Sequence, residues 1–273
     1  MKHKAPALAE MVGMWRRSLI IHADGSRDAT TQVRWLQAQR LCVDLRQDAQ
    51  LPDFMHLDCL DDLGPADCAQ LAGQQGFAGH FGFDAEYFQW QRLIDFQPRG
   101  PFADAGRLWW EGENLIETGR DVPYVEYWQR DPTVVTRPLA AMQLRDPHTG
   151  TRGVALLLGT VFMFARDRPS ALPAGASLLE CVAGAGSLAQ ARGMLDCEIT
   201  LGSAGSGGNL ILASTHPWRV SEYFMIECNG STVTTQDVDP AGKRLTRRWE
   251  VIETEGDPTS AWGPAGGQRV DPT

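Results

Sequence analysis

Val12-Gly13-Met14-Trp15 opens a succession of short strand-like runs, and this opening narrows the fold more than any later feature. A glycine two residues ahead of a large aromatic, heading a β-rich segment, suits the first strand of a closed antiparallel barrel. Strand-like runs follow at Trp15–Ile21, Thr31–Gln37, Leu41–Arg46, Tyr87–Phe96, Gly106–Glu111, Asn114–Thr118 and Tyr124–Arg130. Turn residues such as Ala23-Asp24-Gly25-Ser26 and Glu111-Gly112-Glu113-Asn114 separate them. Residues 51–76 are different, acidic and punctuated, with a short helix expected near Pro65–Ala72, where proline suits a first helical turn. Roughly eight strands in ~120 residues is the size of one small barrel, wide enough for side chains or a single ligand.

Side chains reverse at each strand residue, so alternation assigns faces. Trp15, Arg17, Leu19 and Ile21 share one face, and Val33, Trp35 and Gln37 another. Phe88, Trp90, Arg92, Ile94 and Phe96 make the longest apolar face, with an arginine in its middle. Tyr124, Glu126, Trp128 and Arg130 form a fourth.

Asp131-Pro132 reads as a linker, and the strand pattern then resumes without a residue-level repeat. Strands are expected at 139–145, 153–158, 160–166, 176–182, 194–201, 209–215, 220–228, 231–238 and 245–253. Asn229-Gly230 is the strongest hairpin signal in the chain. Val154 to Ala165 is the longest apolar run; it is too short for a membrane helix, and Gly159 reads as a break between two buried strands. The expected organisation is all-β, with two antiparallel barrels in tandem and few short helices. Residues 10–132 form the first barrel, 133–256 the second, and 257–273 a flexible tail.

The Gly13-x-Trp15 start, the aromatic strands and the late Tyr124-x-Glu126-x-Trp128-x-Arg130 strand resemble a calycin, the superfamily of lipocalins and fatty-acid-binding proteins. The length and the second β-rich half resemble the tandem two-barrel type. The resemblance implies lipocalin-like barrels, a small ligand enclosed in one of them, and Arg130 packed across Trp15.

At 43% hydrophobic and 22% charged residues a packed core is expected. The net charge of −9 argues against a nucleic-acid partner, since phosphate contacts need clustered cations. The one basic cluster, Lys243, Arg244, Arg247 and Arg248, alternates with apolar residues and reads as a solvated strand face. Glu10 and Trp15-Arg16-Arg17 interrupt any apolar stretch near the N-terminus, so a cytoplasmic protein without membrane insertion is expected. Cysteines 42, 59, 68, 181, 197 and 228 have no paired spacing and are expected to be reduced.

Gly184-Ala185-Gly186-Ser187-Leu188-Ala189 follows an expected strand and matches the dinucleotide fingerprint, but the helix it opens is short and no β/α alternation surrounds it. It reads as a Gly-rich turn before a Ser-capped helical turn. Gly202–Gly208 lacks the Gly-Lys-Ser/Thr of a phosphate loop and reads as a flexible connection. Ser206 there only brushes the hydrolase elbow, because no long helix follows. His56, Cys59 and Cys68 lack the paired spacing of a zinc site, so no metal is expected, and His216 reads as a packed histidine.

Charges on apolar strand faces carry the functional reading. Arg17, Arg92 and Glu126 lie beside Trp15, Trp90 and Trp128, and burial without partners would cost several kcal/mol. They must pair with one another, meet a ligand, or take part in catalysis. The leading expectation is a non-enzymatic binding protein without cofactor. Its first barrel would enclose an apolar or aromatic, anionic small molecule, lined by Arg17, Trp35, Trp90, Arg92, Tyr124 and Glu126. Arg92→Leu would then abolish binding and leave the fold intact. The alternative is a calycin-barrel enzyme of the decarboxylase, lyase or cyclase kind, with Glu117 or Glu126 and Tyr124 as acid–base groups beside Arg92. A third reading is an interaction scaffold with filled barrels.

Overall fold

In the computed structural model, which describes residues 4–52, 54, 56–84, 86–173 and 177–262, eight antiparallel strands of the first half close into a barrel. They are β1 (Gly13–His22), β3 (Gln32–Gln37), β4 (Leu41–Gln47), β5 (Gln75–Asp84), β6 (Tyr87–Asp95), β7 (Asp104–Glu111), β8 (Asn114–Gly119) and β9 (Tyr124–Arg130). The two-residue β2 (Arg27–Asp28) hairpins onto β1, and β9 pairs back with β1 to close the ring. The expected helix is α1 (Pro65–Leu71), with Pro65 in its first turn.

Gly13 sits at φ +154°, a conformation that favours glycine, where the chain leaves the 3-10 turn Leu8–Met11 for β1. Trp15 is fully buried, and its Nε1 donates to the Met11 carbonyl at 2.8 Å. The Arg130 guanidinium lies 4.8 Å from the Trp15 ring and donates through Nη1 to the Val12 carbonyl at 3.1 Å. β5 has no counterpart in the expected strand list, because Gly76, Gly79 and Gly82 interrupt its alternation. Gly79 is needed for close approach, since a Cβ there would stand 2.1 Å from the Gln91 carbonyl oxygen.

The second half is a curled half-barrel built from eight strands. These are β10 (Leu139–Arg145), β11 (Arg152–Leu158), β12 (Val161–Arg166), β13 (Glu198–Gly205), β14 (Gly208–Ser214), β15 (Ile226–Asn229), β16 (Thr232–Val238) and β17 (Arg244–Gly256). They run in the order β14-β13-β12-β11-β10-β17-β16-β15. Residues 221–224, expected as strand, cross beside β14 instead, with Phe224 N donating to Asn209 O at 2.7 Å. The expected strand 176–182, whose first residue lies outside the described set, is helix α2 (Leu178–Ala183), followed by α3 (Leu188–Leu195). Ser177 Oγ accepts from Glu180 N at 3.2 Å, so a helix cap decides where an apolar run alone does not. The tail expected to be flexible begins with α4 (Pro258–Trp262), whose Trp262 is buried against the half-barrel interior; residues 263–273 lie outside the described set.

Three apolar layers result. Trp15, Trp35, Phe81, Phe88 and Trp128 fill much of the closed barrel. Phe162, Phe164, Phe224 and Trp249 fill the half-barrel. Between them, Leu36, Leu41, Val43 and Ile94 from the outer wall of the barrel pack on Leu156, Met163 and Ile199. β11 is therefore buried on both faces, which explains its unbroken apolar sequence from Val154 to Leu158. All six cysteines are free and buried. Among the described residues no helix is long and apolar enough to cross a membrane.

Candidate functional site

Along the closed barrel the inward residues change from apolar to charged. On β4 the succession is Cys42, Asp44, Arg46; on β9 it is Trp128, Glu126, Tyr124; on β8 Leu115 gives way to Glu117, and on β6 Trp90 to Arg92. Where the aromatic packing ends, a chamber of about 140 Å³ remains. Its aromatic walls are Trp35, Phe77, Trp90 and Trp128. Asp44, Arg46, Arg92, Asp104, Glu117, Tyr124 and Glu126 supply the polar wall.

Five of the expected residues thus meet in one chamber: Trp35, Trp90, Arg92, Tyr124 and Glu126. Arg17 does not line it. It stands behind Glu126, donating to Glu126 Oε1 at 2.8 Å and to Asp28 Oδ2 at 3.0 Å. A bulge between Arg17 and Leu19 then reverses β1, so Ile20 lines the chamber and Leu19 and Ile21 do not share the Trp15 face. A second bulge, at Leu93, turns Ile94 and Phe96 outward into the core between the halves and brings Asp95 beside Arg92. Asp44, Arg46, Phe77 and Asp104 are site residues that alternation alone passes over. Their signal is Cys42-x-Asp44-x-Arg46 interleaved with Leu41, Val43 and Leu45, a pattern that ordinarily marks a solvated face.

The arginines are already paired. Arg92 donates through Nη2 and Nε to Asp104 Oδ2 at 2.6 and 3.0 Å, and through Nη1 to Asp95 Oδ1 at 3.1 Å, with its guanidinium 4.1 Å from the Phe77 ring. Arg46 Nε donates to Asp44 Oδ1 at 2.7 Å. Glu117 and Glu126 face each other across the β8–β9 ladder. The buried Glu117 accepts from Tyr124 Oη at 2.6 Å and from Trp128 Nε1 at 3.0 Å. Among the described residues no arginine, lysine or histidine forms an ion pair with it. Burial, then the neighbouring Glu126 and Asp104, hold its carboxyl well above the usual carboxylate range. Burial and Glu117 raise the Tyr124 phenol in turn.

Trp90, Arg92, Asp104 and Tyr124 also wall a cleft of about 710 Å³, within the usual size of small-molecule sites. The exposed Phe102 and Val122 line its outer part. Asp95 lines it too; burial raises its pKa despite Arg92, and its buried Oδ2 has no hydrogen-bond partner. A larger cleft of about 920 Å³ lies where the two halves meet. Its Arg152 is paired with Asp167 and its Arg168 with backbone carbonyls, so it offers less free chemistry.

The other motifs read as local structure. No strand precedes Gly184; the segment caps α2, and Ser187 Oγ caps α3 through Gln190 N at 3.2 Å. Residues 202–208 lie across the β13–β14 hairpin. His56 Nε2 is 3.5 Å from Asp67 Oδ1, and among the described residues no group of three or more metal-ligating side chains could hold an ion. His216 is buried, stacked on Trp218 and bonded to the Leu195 carbonyl at 3.2 Å, with burial holding its pKa down.

No protein-family model and no curated protein matches the chain. The fold is similar to the crystal structure of the uncharacterized protein YLR301w from Saccharomyces cerevisiae. That likeness has a TM-score of 0.50 and 13% sequence identity, over 89% of this chain and 98% of that one. At such identity it bears on the fold alone.

Proposed function

We propose that the protein binds a small molecule in its first barrel, and that this barrel is of the calycin type. The ligand places a compact head group in the inner chamber and its flat or aliphatic body in the outer cleft. The observation that carries this reading is the shared wall: Trp90, Arg92, Asp104 and Tyr124 belong to both the inner chamber and the outer cleft. Trp15 and Arg130 support the calycin assignment through their contact at the start and end of the barrel. A chamber of about 140 Å³ accommodates a group of roughly benzene size and no whole lipid. The half-barrel, packed with its own aromatics, suits the scaffold role instead.

Native mass spectrometry of the protein purified from its own host tests the reading. A retained small molecule that Trp90→Ala releases is the expected result. A mass equal to the bare chain, with no change in tryptophan fluorescence on adding host metabolite extract, would overturn it. A second reading is favoured by Glu117, whose raised pKa holds its proton to higher pH than an ordinary carboxyl beside the Tyr124 hydroxyl, as a general acid requires. Turnover of the retained molecule, lost in Glu117→Gln, would make the barrel an enzyme.

A further inference from the structure

We infer that the head group taken by the inner chamber is a small organic cation, an alkyl- or methylated ammonium, rather than an anion. This rests on the reading that the first barrel binds a small molecule. Four acidic side chains line the chamber (Asp44, Asp104, Glu117 and Glu126) against two guanidiniums, Arg46 and Arg92. Glu117 holds its proton to higher pH while no cation is bound, and releases it to water when a cation takes the proton's place. Arg46 pairs with Asp44, Arg92 with Asp104, and Arg17, outside the wall, with Glu126 and Asp28, so Glu117 is the lining acid without an arginine partner among the described residues.

An anion would have to share both guanidiniums with acids already on them: Arg92 Nε, Nη1 and Nη2 donate to Asp95 and Asp104, and Arg46 Nε donates to Asp44 while its Nη1 lies 3.8 Å from Glu126. It would also meet the buried acids at close range. A cation meets the opposite conditions. Glu117 is 3% exposed and holds only neutral donors, the Tyr124 hydroxyl and the Trp128 indole. Trp35, Trp90, Trp128 and Phe77 present aromatic surface to the same small volume, and ring faces attract desolvated ammonium groups. Independently, Asp95 Oδ2 is buried, lacks a hydrogen-bond partner and lines the adjoining cleft, where it can accept from an N–H or O–H on the body of the ligand.

The test uses three probes of similar size and different charge: tetramethylammonium, tert-butanol and trimethylacetate. Each is titrated into the full chain and followed by tryptophan fluorescence and calorimetry. Tetramethylammonium should bind about tenfold or more tighter than tert-butanol, the range one desolvated cation–π contact supplies. Trimethylacetate should bind weakest. Glu117→Gln should bring the cation down to the level of the neutral probe while leaving tert-butanol binding in place, which also shows that the variant is folded. Equal binding of the cation and the neutral probe, or tighter binding of trimethylacetate, overturns the cation and leaves small-molecule binding standing. If none of the three perturbs the tryptophans and the native mass is that of the bare chain, both readings fall.

Discussion

Glu117 sets the chemistry of the barrel because its charge has so little to offset it. The folded chain keeps the Glu117 proton to higher pH than the unfolded chain, whose carboxyl titrates near 4.5. Between that value and the raised folded one, the native state binds more protons, so its stability falls as pH rises. Glutamine has no charge to acquire. Its oxygen can accept from Trp128 Nε1 while its amide donates to the Tyr124 hydroxyl oxygen, the phenol giving up its role as donor to the carboxylate. The Tm advantage of Glu117→Gln over the parent should therefore be smallest at pH 5 and grow toward pH 8, by about 2–4 °C for each kcal/mol. Parallel Tm curves across that range would show that Glu117 is not held protonated.

Arg92 carries the opposite lesson. Its removal leaves Asp104 without a cation and Asp95 with only the more exposed Arg99, 3.8 Å away, so Arg92→Leu should destabilise by about 2–3 kcal/mol in urea titration, discounted for its 31% side-chain exposure. The sequence alone suggests a silent replacement, because Leu restores an apolar face. The partners that make it costly come from beyond a bulge and from another strand. Asp104→Asn in the same chain should recover part of the loss; if Arg92→Leu is neutral, the pairing is not holding the wall. Alternation locates Trp35, Trp90, Tyr124 and Glu126 correctly because a strand repeats every two residues. It passes over Asp44, Arg46 and Asp104 because acids and arginines on a strand ordinarily face water.

At the scale of elements, Trp15 ties three pieces of chain together. The 3-10 turn ends at Met11, whose carbonyl accepts from the Trp15 indole; β3 stacks Trp35 on it at 5.9 Å; β9 brings Arg130 over its ring. Trp15→Ala should cost about 3–5 kcal/mol by chemical unfolding, as large aromatic truncations in packed cores do. A cost under about 1 kcal/mol would mean that the barrel end does not depend on this stack. Most strands were legible because their alternation and turn residues agree, as at Asn229-Gly230 between β15 and β16. β5 was not, since three glycines remove the side chains that alternation counts. One of them, Gly79, is there because β6 passes too close for a Cβ. An apolar run takes α2 for a strand because Leu178-Leu179-Glu180-Cys181-Val182 carries few polar residues, while the Ser177-x-x-Glu180 capping pair that marks a helix is a short signal.

At the scale of the molecule, the two halves share a core and also complete each other's backbone. The sequence, read as two barrels in tandem, does not reveal this, because contacts across more than two hundred residues leave no local pattern. Glu255 on β17 reaches the β3–β4 turn of the closed barrel, accepting from Gln39 N at 2.6 Å, Arg40 N at 2.9 Å and Leu41 N at 2.8 Å. Two residues earlier, Glu253 pairs with His80 at 2.8 Å and with Arg40. Glu255→Ala strands three turn amides beside a buried wall, and should cost about 2–4 kcal/mol, since orphaned buried donors are expensive. Because Leu36, Leu41 and Val43 lie in the same apolar cluster as Leu156 and Ile199, that loss should be felt by both halves together. Native-state hydrogen exchange can read it at β8–β9 and at β15–β16, neither of which touches Glu255. Both ladders should lose protection by the same amount, and urea should unfold the chain in one transition. If β8–β9 loses protection while β15–β16 keeps that of the parent, the halves are separate folding units, and the layer between them is only a contact surface.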